Sequence, residues 1–513
     1  MLVCFIEIMI NLYYAYLLRY LFEFNLIFFL FSMVLAVIIY YGSKFFNFSN
    51  FFKNFSSVYV IRFILIGSLL VSFILVCFIF WLFIKCYFSL LYFFLYDNFN
   101  FNLSDLFFLK LPLTQIWTIK FSIEFFGFIF IILAYIVGLI SFLALDTRLY
   151  WRNVRFIFIC NFLVFVIYMF TIVNDLLLIF LFYETMLIPS FLFVYFVSPY
   201  RRGIQASLYF LIWTQIGSLL VLCSVAYMIY TVGSTSFLSL RNFKFTSDEV
   251  WYLYLLLFLG FGFKVPIWPF QYWLTKTHVE APAGFSIFLS GFLVKTAIYG
   301  FYKITNELGS EIDTTFFSMF VIMGVIDASL KMWGQLDLKK LVAYGTVQEM
   351  NLIYIAFLWG DAGAFIGGIL FCITHAFLSS LMFFLVDCIQ KRYNTRIVSE
   401  ISGILHTTPN LGLSILFMHI LYSGLPGTLK FLSEFYIFTG LISSAPFSTL
   451  LLMFGANFFG LIGFSKCWFN VVFGMTLKNQ HQLPIDLTIK EFLIIFICVF
   501  SMFFFGFGFN LLI

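Results

Sequence analysis

Long apolar runs follow one another along almost the whole chain, parted by short polar links. About 20 apolar residues in a helix cross the roughly 30 Å of hydrocarbon in a bilayer. Runs near that length lie at 26–42, 58–84, 124–145, 154–173, 176–197, 205–230, 251–272, 284–302, 315–332, 341–359, 363–387, 411–440, 447–465 and 488–511. The pattern predicts an all-α polytopic membrane protein with about 14 transmembrane helices. Two further apolar stretches, 2–20 and 86–96, read as an extra span and a re-entrant or interfacial piece. The longest polar links, Asn98–Lys120 and Ser234–Val250, are too short to bury a core, so one membrane domain is expected.

Composition narrows the class. Charged residues are 10% of the 513 positions, against roughly 25% in a soluble domain. That excludes a soluble enzyme, a disordered chain and a secreted disulfide scaffold. Nine cysteines contain no C-x-x-C pair, so no metal or iron–sulfur ligand set is expected. The net charge of +5 suggests no polyanionic partner and no nucleic acid. Aromatic residues reach 23%, with 80 Phe and 29 Tyr. Both have AT-rich codons, which points to an AT-rich organelle genome. The N-terminus shows no Arg/Ser-rich amphipathic stretch, so no cleavable transit peptide is expected.

Loop charges set an orientation. Links leaving odd-numbered spans carry Arg148, Arg152 and Arg155, then Arg201 and Arg202, Lys339 and Lys340, Lys391, Arg392 and Arg396, and finally Lys466 and Lys478. Links leaving even spans carry chiefly Arg241, Lys244 and Lys303, beside Asp248, Glu249, Glu307, Glu311, Asp313 and Asp361. Odd exits are therefore expected on the positive-inside side and both termini on the other.

Charges inside the spans are the candidate chemistry. Glu184, Lys264, Lys295, His375 and Glu434 each interrupt a long apolar run. A charge at mid-bilayer costs about 2.5–3.5 kcal/mol on insertion scales, so it needs a partner or a task. Taken singly, each reads equally as a structural ion pair locking two helices. Titratable groups on five spans fit a proton relay better, because each hop must be short and each group must change charge. Helix breakers accompany them: Pro266 and Pro269 follow Lys264, and Gly424, Pro426 and Gly427 precede Glu434. Two discontinuous helices are expected, around Pro266 and Pro426, as in transporters built from inverted repeats. No clear sequence repeat accompanies them.

Residues 264–304, KVPIWPFQYWLTKTHVEAPAGFSIFLSGFLVKTAIYGFYKI, closely resemble the core of the NADH dehydrogenase (ubiquinone) chain 4 family. These are antiporter-like membrane-arm subunits of respiratory complex I. HVEAP at His278–Pro282, followed by Leu293–Gly300, is the most specific part. ETMLIP (Glu184–Pro189), QLDLKKLVAYGTV (Gln335–Val347), THAFLSSLMF (Thr374–Phe383) and LPGTLKFLSEF (Leu425–Phe435) add to it. The resemblance covers 120–470, read as the proton-translocating core. It leaves 1–119 as divergent N-terminal helices and 471–513 as a C-terminal helix.

The resemblance implies an antiporter-like fold and a relay through Glu184, Lys264, Lys295, His375 and Glu434, with Glu184 paired to Lys264. His278, Glu280, Glu349 and Lys430 are additional candidates. It also implies that this chain binds no cofactor, while the complex as a whole uses NADH, FMN, iron–sulfur clusters and ubiquinone. Expected partners are other complex I subunits, especially neighbouring antiporter-like chains, and lipids such as cardiolipin. The expected location is the mitochondrial inner membrane. Four positions depart from the family pattern. Gln348 and Glu349 stand where Ser-His is usual, Lys430 stands where Asn is usual, and Glu124 stands near an expected Asp.

A stand-alone cation/proton antiporter is the nearest alternative, since it shares the buried Glu/Lys pattern. A haem-binding cytochrome fits less well. His406 and His419 lie 13 residues apart, but the other histidines supply no second pair. A purely structural scaffold leaves the buried charges without a task. No Gly-rich phosphate loop follows a strand, so redox chemistry is expected in partner subunits.

Overall fold

The computed structural model describes residues 21, 23–36, 64–81, 110–116, 119–144, 154–197, 201–309, 313–359, 361–474 and 485–512. The stretches 2–20 and 86–96 lie outside the described residues. Among the described residues, ten helices are long and apolar enough to cross a membrane, including Ile64–Trp81, Phe125–Ala144, Leu176–Phe196, Arg201–Val232 and Ala283–Leu308. The others are Thr315–Met332, Leu338–Leu358, Ala362–Tyr393, Pro446–Phe473 and Ile489–Gly508. Three shorter apolar helices, Glu23–Ala36, Phe158–Ile172 and Pro409–Tyr422, join them. With Ser247–Lys264 and Leu429–Ser444, every one of the fourteen apolar runs meets a helix among the described residues, and the run 411–440 meets two. Outward-facing Phe447, Leu450, Phe500 and Phe504 are exposed without charges beside them, the surface a lipid solvent requires.

The chain divides into two compact units. The first comprises Met1–Leu139 and Asp146–Ser190. Its core is aromatic: the Phe29 ring lies 6.4 Å from Tyr135 and 5.9 Å from Phe165, and Tyr135 lies 6.3 Å from Phe73. Four helices thus meet through four rings. A β-hairpin, Lys110–Ile116 with Ile119–Glu124, departs from the otherwise helical chain. Its register runs from Lys110 opposite Glu124 to Ile116 opposite Ile119, with an irregularity between Pro112 and Thr114 where proline supplies no N–H. The sequence reading placed a plain link over most of this segment. The alternation in IKFSIE was the signal for a strand.

The second unit comprises Ile140–Leu145 and Phe191–Ile513. At its centre, Ala283–Leu308 and Leu338–Leu358 are buried throughout their apolar windows, and Ala362–Tyr393 is 94% buried. Ile489–Gly508, at 28%, is peripheral. Glycines allow the closest approaches. A Cβ on Gly217 would come within 2.6 Å of Gly260 O, and one on Gly367 within 2.6 Å of Ile437 N.

Links leaving even-numbered spans meet one another in this unit: Arg241 pairs with Glu307 at 3.2 Å, and Ser443 donates to Asp361 at 3.0 Å. Links leaving odd spans likewise meet. Asp337 pairs with Arg396 at 2.8 Å, and Arg392 Nε donates to Ile485 O at 2.8 Å. The helices therefore alternate in direction as the charge pattern requires.

Candidate functional site

The first break follows Lys264. A capping box at Thr246 and Glu249 starts the Ser247–Lys264 helix, which ends at Lys264. The chain resumes as Tyr272–Glu280. Pro266 and Pro269 offer no N–H, so carbonyls of the last turn lose their usual donors. Other groups replace them. Ile267 N donates to Gly262 O at 3.1 Å, Trp273 Nε1 to Phe263 O at 2.8 Å, and Asn351 Nδ2 to Pro266 O at 3.3 Å. Protein thus supplies what water cannot inside a membrane. Lys264 is buried at this end.

The HVEAP segment closes the Tyr272–Glu280 half-helix. Two cations cover its final carbonyls: Lys339 Nζ donates to Ala281 O, and Arg396 Nη1 to Val279 O at 2.9 Å. Positive charge at a helix C-terminus complements the unpaired carbonyls there. Neither lysine nor arginine was assigned this work from the sequence. His278 is fully buried and stacks on Phe383 with ring centroids 4.7 Å apart. Glu280 instead lines a cavity of about 370 Å³ with Arg202, Lys276, Lys340 and Tyr344. The structure thus separates these neighbours into an interior ring and a cavity-lining carboxylate.

Lys295 sits at a second irregularity. Ala283–Phe288 passes into a π-helical turn, Leu289–Leu293, before Lys295–Leu308. A π turn shifts hydrogen bonds to i→i+5 and leaves carbonyl capacity behind. Lys295 Nζ uses it, donating to Gly291 O at 2.6 Å and Ser290 O at 3.1 Å. A wholly buried ammonium is held by backbone of its own helix.

The second break carries the densest cluster. Pro409–Tyr422 ends before Gly424 and Gly427, whose φ values of 70° and 97° suit glycine alone, and Leu429–Ser444 restarts under a Thr428 cap. Lys430 Nζ donates to Tyr422 O, an end carbonyl of the first half, at 2.7 Å. The same ammonium lies 2.8 Å from Glu349 Oε1 and 3.6 Å from Glu434 Oε1. It also stands 4.0 Å from the Tyr422 ring centroid. Glu349 Oε2 lies 3.9 Å from His375 Nε2. Tyr422 OH donates to Gln348 Oε1 at 3.2 Å.

The structure therefore brings His375, Glu349, Lys430 and Glu434 together from three segments. The sequence reading placed Lys430 beside Glu434, which the 3.6 Å contact reproduces, but it missed Glu349 as the nearer partner. Glu184 belongs to the first unit, on the Leu176–Thr185 helix capped by Asp175. That helix is interrupted at Met186, just after Glu184, and resumes at Leu187. Pro189 has no N–H for the Thr185 carbonyl, a break the ETMLIP motif already contained.

A family model described as NADH:quinone oxidoreductase/Mrp antiporter, TM, matches residues 173–460. The chain belongs to this family. NADH-ubiquinone oxidoreductase chain 4 of Paramecium tetraurelia is 45% identical over 381 residues, covering 74% of this chain and 80% of that one. The protein of the same name from Chondrus crispus is 32% identical, covering 63% and 66%. Among solved structures, a chain of respiratory complex I from Thermus thermophilus with bound NADH aligns with TM-score 0.73 and 18% identity, covering 94% of this chain and 95% of that one. A chain of the Mrp complex from Dietzia sp. aligns with TM-score 0.78 and 14% identity, covering 95% of each. At such identities the two structures establish the antiporter-like fold alone. The Proton-antiporter match spans the cluster and both breaks, Lys264 through Glu434.

Proposed function

We propose that this chain is a membrane-arm subunit of a proton-pumping NADH:ubiquinone oxidoreductase, complex I. It conducts protons through Glu184, Lys264, Lys295, His375 and Glu434. One observation carries the reading: ionisable groups largely shielded from solvent sit at three backbone irregularities of the second unit. Lys264 ends the first half-helix, Lys295 follows the π turn, and Lys430 and Glu434 follow the second break. Backbone breaks at membrane depth persist only where protein or a hydrated cavity satisfies them, and proton paths need both water and titratable groups.

In this reading the Glu184 carboxylate and the Lys264 ammonium stabilise each other's charged form, and protonation of Glu184 releases Lys264. NADH, FMN, iron–sulfur and ubiquinone chemistry belongs to partner subunits, with antiporter-like chains as neighbours and anionic lipids such as cardiolipin around the apolar exterior. The matrix side takes the arginine-rich links, and the chain lies in the mitochondrial inner membrane, encoded in the organelle.

The test is co-purification. The chain should run in a large membrane complex, and depleting it with an antibody should remove NADH–quinone reductase activity. A chain that purifies in a small assembly exchanging sodium for protons, without NADH oxidation, would make it a stand-alone antiporter instead.

A further inference from the structure

The relay inherited by resemblance passes from Lys295 and His375 to Glu434, and it names the fully enclosed Glu349 only as an additional candidate, without a place in the path. Glu349 is 1% exposed on the Leu338–Leu358 helix. Its Oε1 takes Lys430, while its Oε2 is buried with no hydrogen-bond partner among the described residues. Both ring nitrogens of His375 are in the same condition. The unpartnered carboxylate oxygen and the unpartnered Nε2 lie 3.9 Å apart. That gap is too long for a hydrogen bond and short enough for one water or a ring rotation to close.

The surroundings of Glu349 can be taken helix by helix. Ala283–Leu308 contributes Lys295, which interacts with it electrostatically. Ala362–Tyr393 contributes His375. Leu429–Ser444 contributes Lys430 and Glu434, and Pro409–Tyr422 contributes the Tyr422 hydroxyl. Glu349 is thus the group that meets both ends of the inherited relay.

Charge counting gives it a task. Two carboxylates and the ammoniums of Lys430 and Lys295 sum to zero when His375 is neutral. An uncompensated buried charge is costly, so a proton entering the cluster is held only in transit, and a carboxylate beside Lys430 can carry it. We propose that Glu349 is a proton-carrying carboxylate of the path, standing between His375 and Glu434, with Lys430 as the counter-ion that the two carboxylates share. The inference rests on the proton-conducting reading above.

Each step conserves charge. A proton on His375 Nε2 leaves as that N–H bond breaks and an O–H bond forms on Glu349, leaving a neutral imidazole and a neutral carboxyl. Lys430 then turns to Glu434. When the proton moves on to Glu434, the ammonium returns to Glu349. The unequal contacts, 2.8 Å to Glu349 and 3.6 Å to Glu434, correspond to this last state.

The test is NADH-driven proton uptake, measured beside NADH oxidation, in liposomes holding the assembled complex. Glu349→Gln keeps the size and an acceptor for Lys430 but cannot carry a proton, and pumping should fall to a small fraction of wild type. The pair Glu349→His with Lys430→Asn restores a titratable group without net charge, and should recover most of it. Should Glu349→Gln fail to assemble, Glu349→Gln with Lys430→Gln removes both charges together and is read by the same criterion. Wild-type pumping in the Gln variant, or a His/Asn pair as inactive as Gln, overturns the proposal. Glu184→Gln separates the two levels. Normal pumping there sinks the proton-conducting reading, whereas loss there with normal pumping in Glu349→Gln sinks only this inference.

Discussion

Lys430 and Glu349, 81 positions apart in sequence, form a buried ion pair at 2.8 Å across two helices. The resemblance read from the sequence expects other residues at both positions, and the structure sets this acid and this base against each other. Breaking such a pair from one side strands a charge, at a cost of about 3–5 kcal/mol, while removing both partners is often nearly neutral.

Stability should follow that asymmetry. Lys430→Met alone should lower the thermal midpoint and the level of the assembled complex. Adding Glu349→Gln should restore part of the loss. A double variant destabilised by the full sum of the singles, read by thermal denaturation, would mean the pair does not couple the helices.

Helix spacing beneath the cluster depends on Gly367. A Cβ there would meet the Ile437 backbone nitrogen at 2.6 Å, and backbone cannot move aside as a side chain can. Gly367→Val should cost roughly 1–3 kcal/mol by overpacking. It should also spread the helices bearing His375 and Glu434, slowing pumping more than NADH oxidation. Unchanged coupling at reduced stability would confine Gly367 to packing.

At Gly427, φ is 97° and an added Cβ would lie 3.0 Å from Phe507 Cζ. Gly427→Ala should destabilise by roughly 1–2 kcal/mol from backbone strain. Pairing it with Phe507→Leu should relieve the contact but not the strain. Full recovery in that double variant, by thermal denaturation, would show that space alone required glycine.

The orientation can be probed directly. A protease or impermeant label added from the matrix side should reach the Lys391–Arg396 link and miss the Glu307–Asp313 link. The reverse pattern would invert the path's direction.

Much of this was legible in the sequence, because single spans announce themselves by local hydropathy and breaks by proline and glycine. Lys264, Lys295 and Glu434 stood out for the same local reason. Contacts between spans are not local. No periodicity tells whether Lys430 turns to Glu434, one turn away, or to Glu349 on another helix. The π turn before Lys295 has no proline to mark it, and the service of Lys339 and Arg396 to the HVEAP carbonyls arises only when three distant segments meet. The hairpin was hidden for another reason: its alternation is short and borders a long apolar run.

The central claim, proton conduction through buried titratable groups, is tested most directly at Lys295. Lys295→Met keeps the length and apolar stem of the side chain and removes the ammonium held by Ser290 and Gly291. Losing a general acid–base group costs on the order of a hundredfold or more in rate. In liposomes holding the complex, the account predicts that NADH-driven acidification nearly disappears in this variant while the complex remains assembled. Acidification at the wild-type rate per NADH oxidised would contradict it.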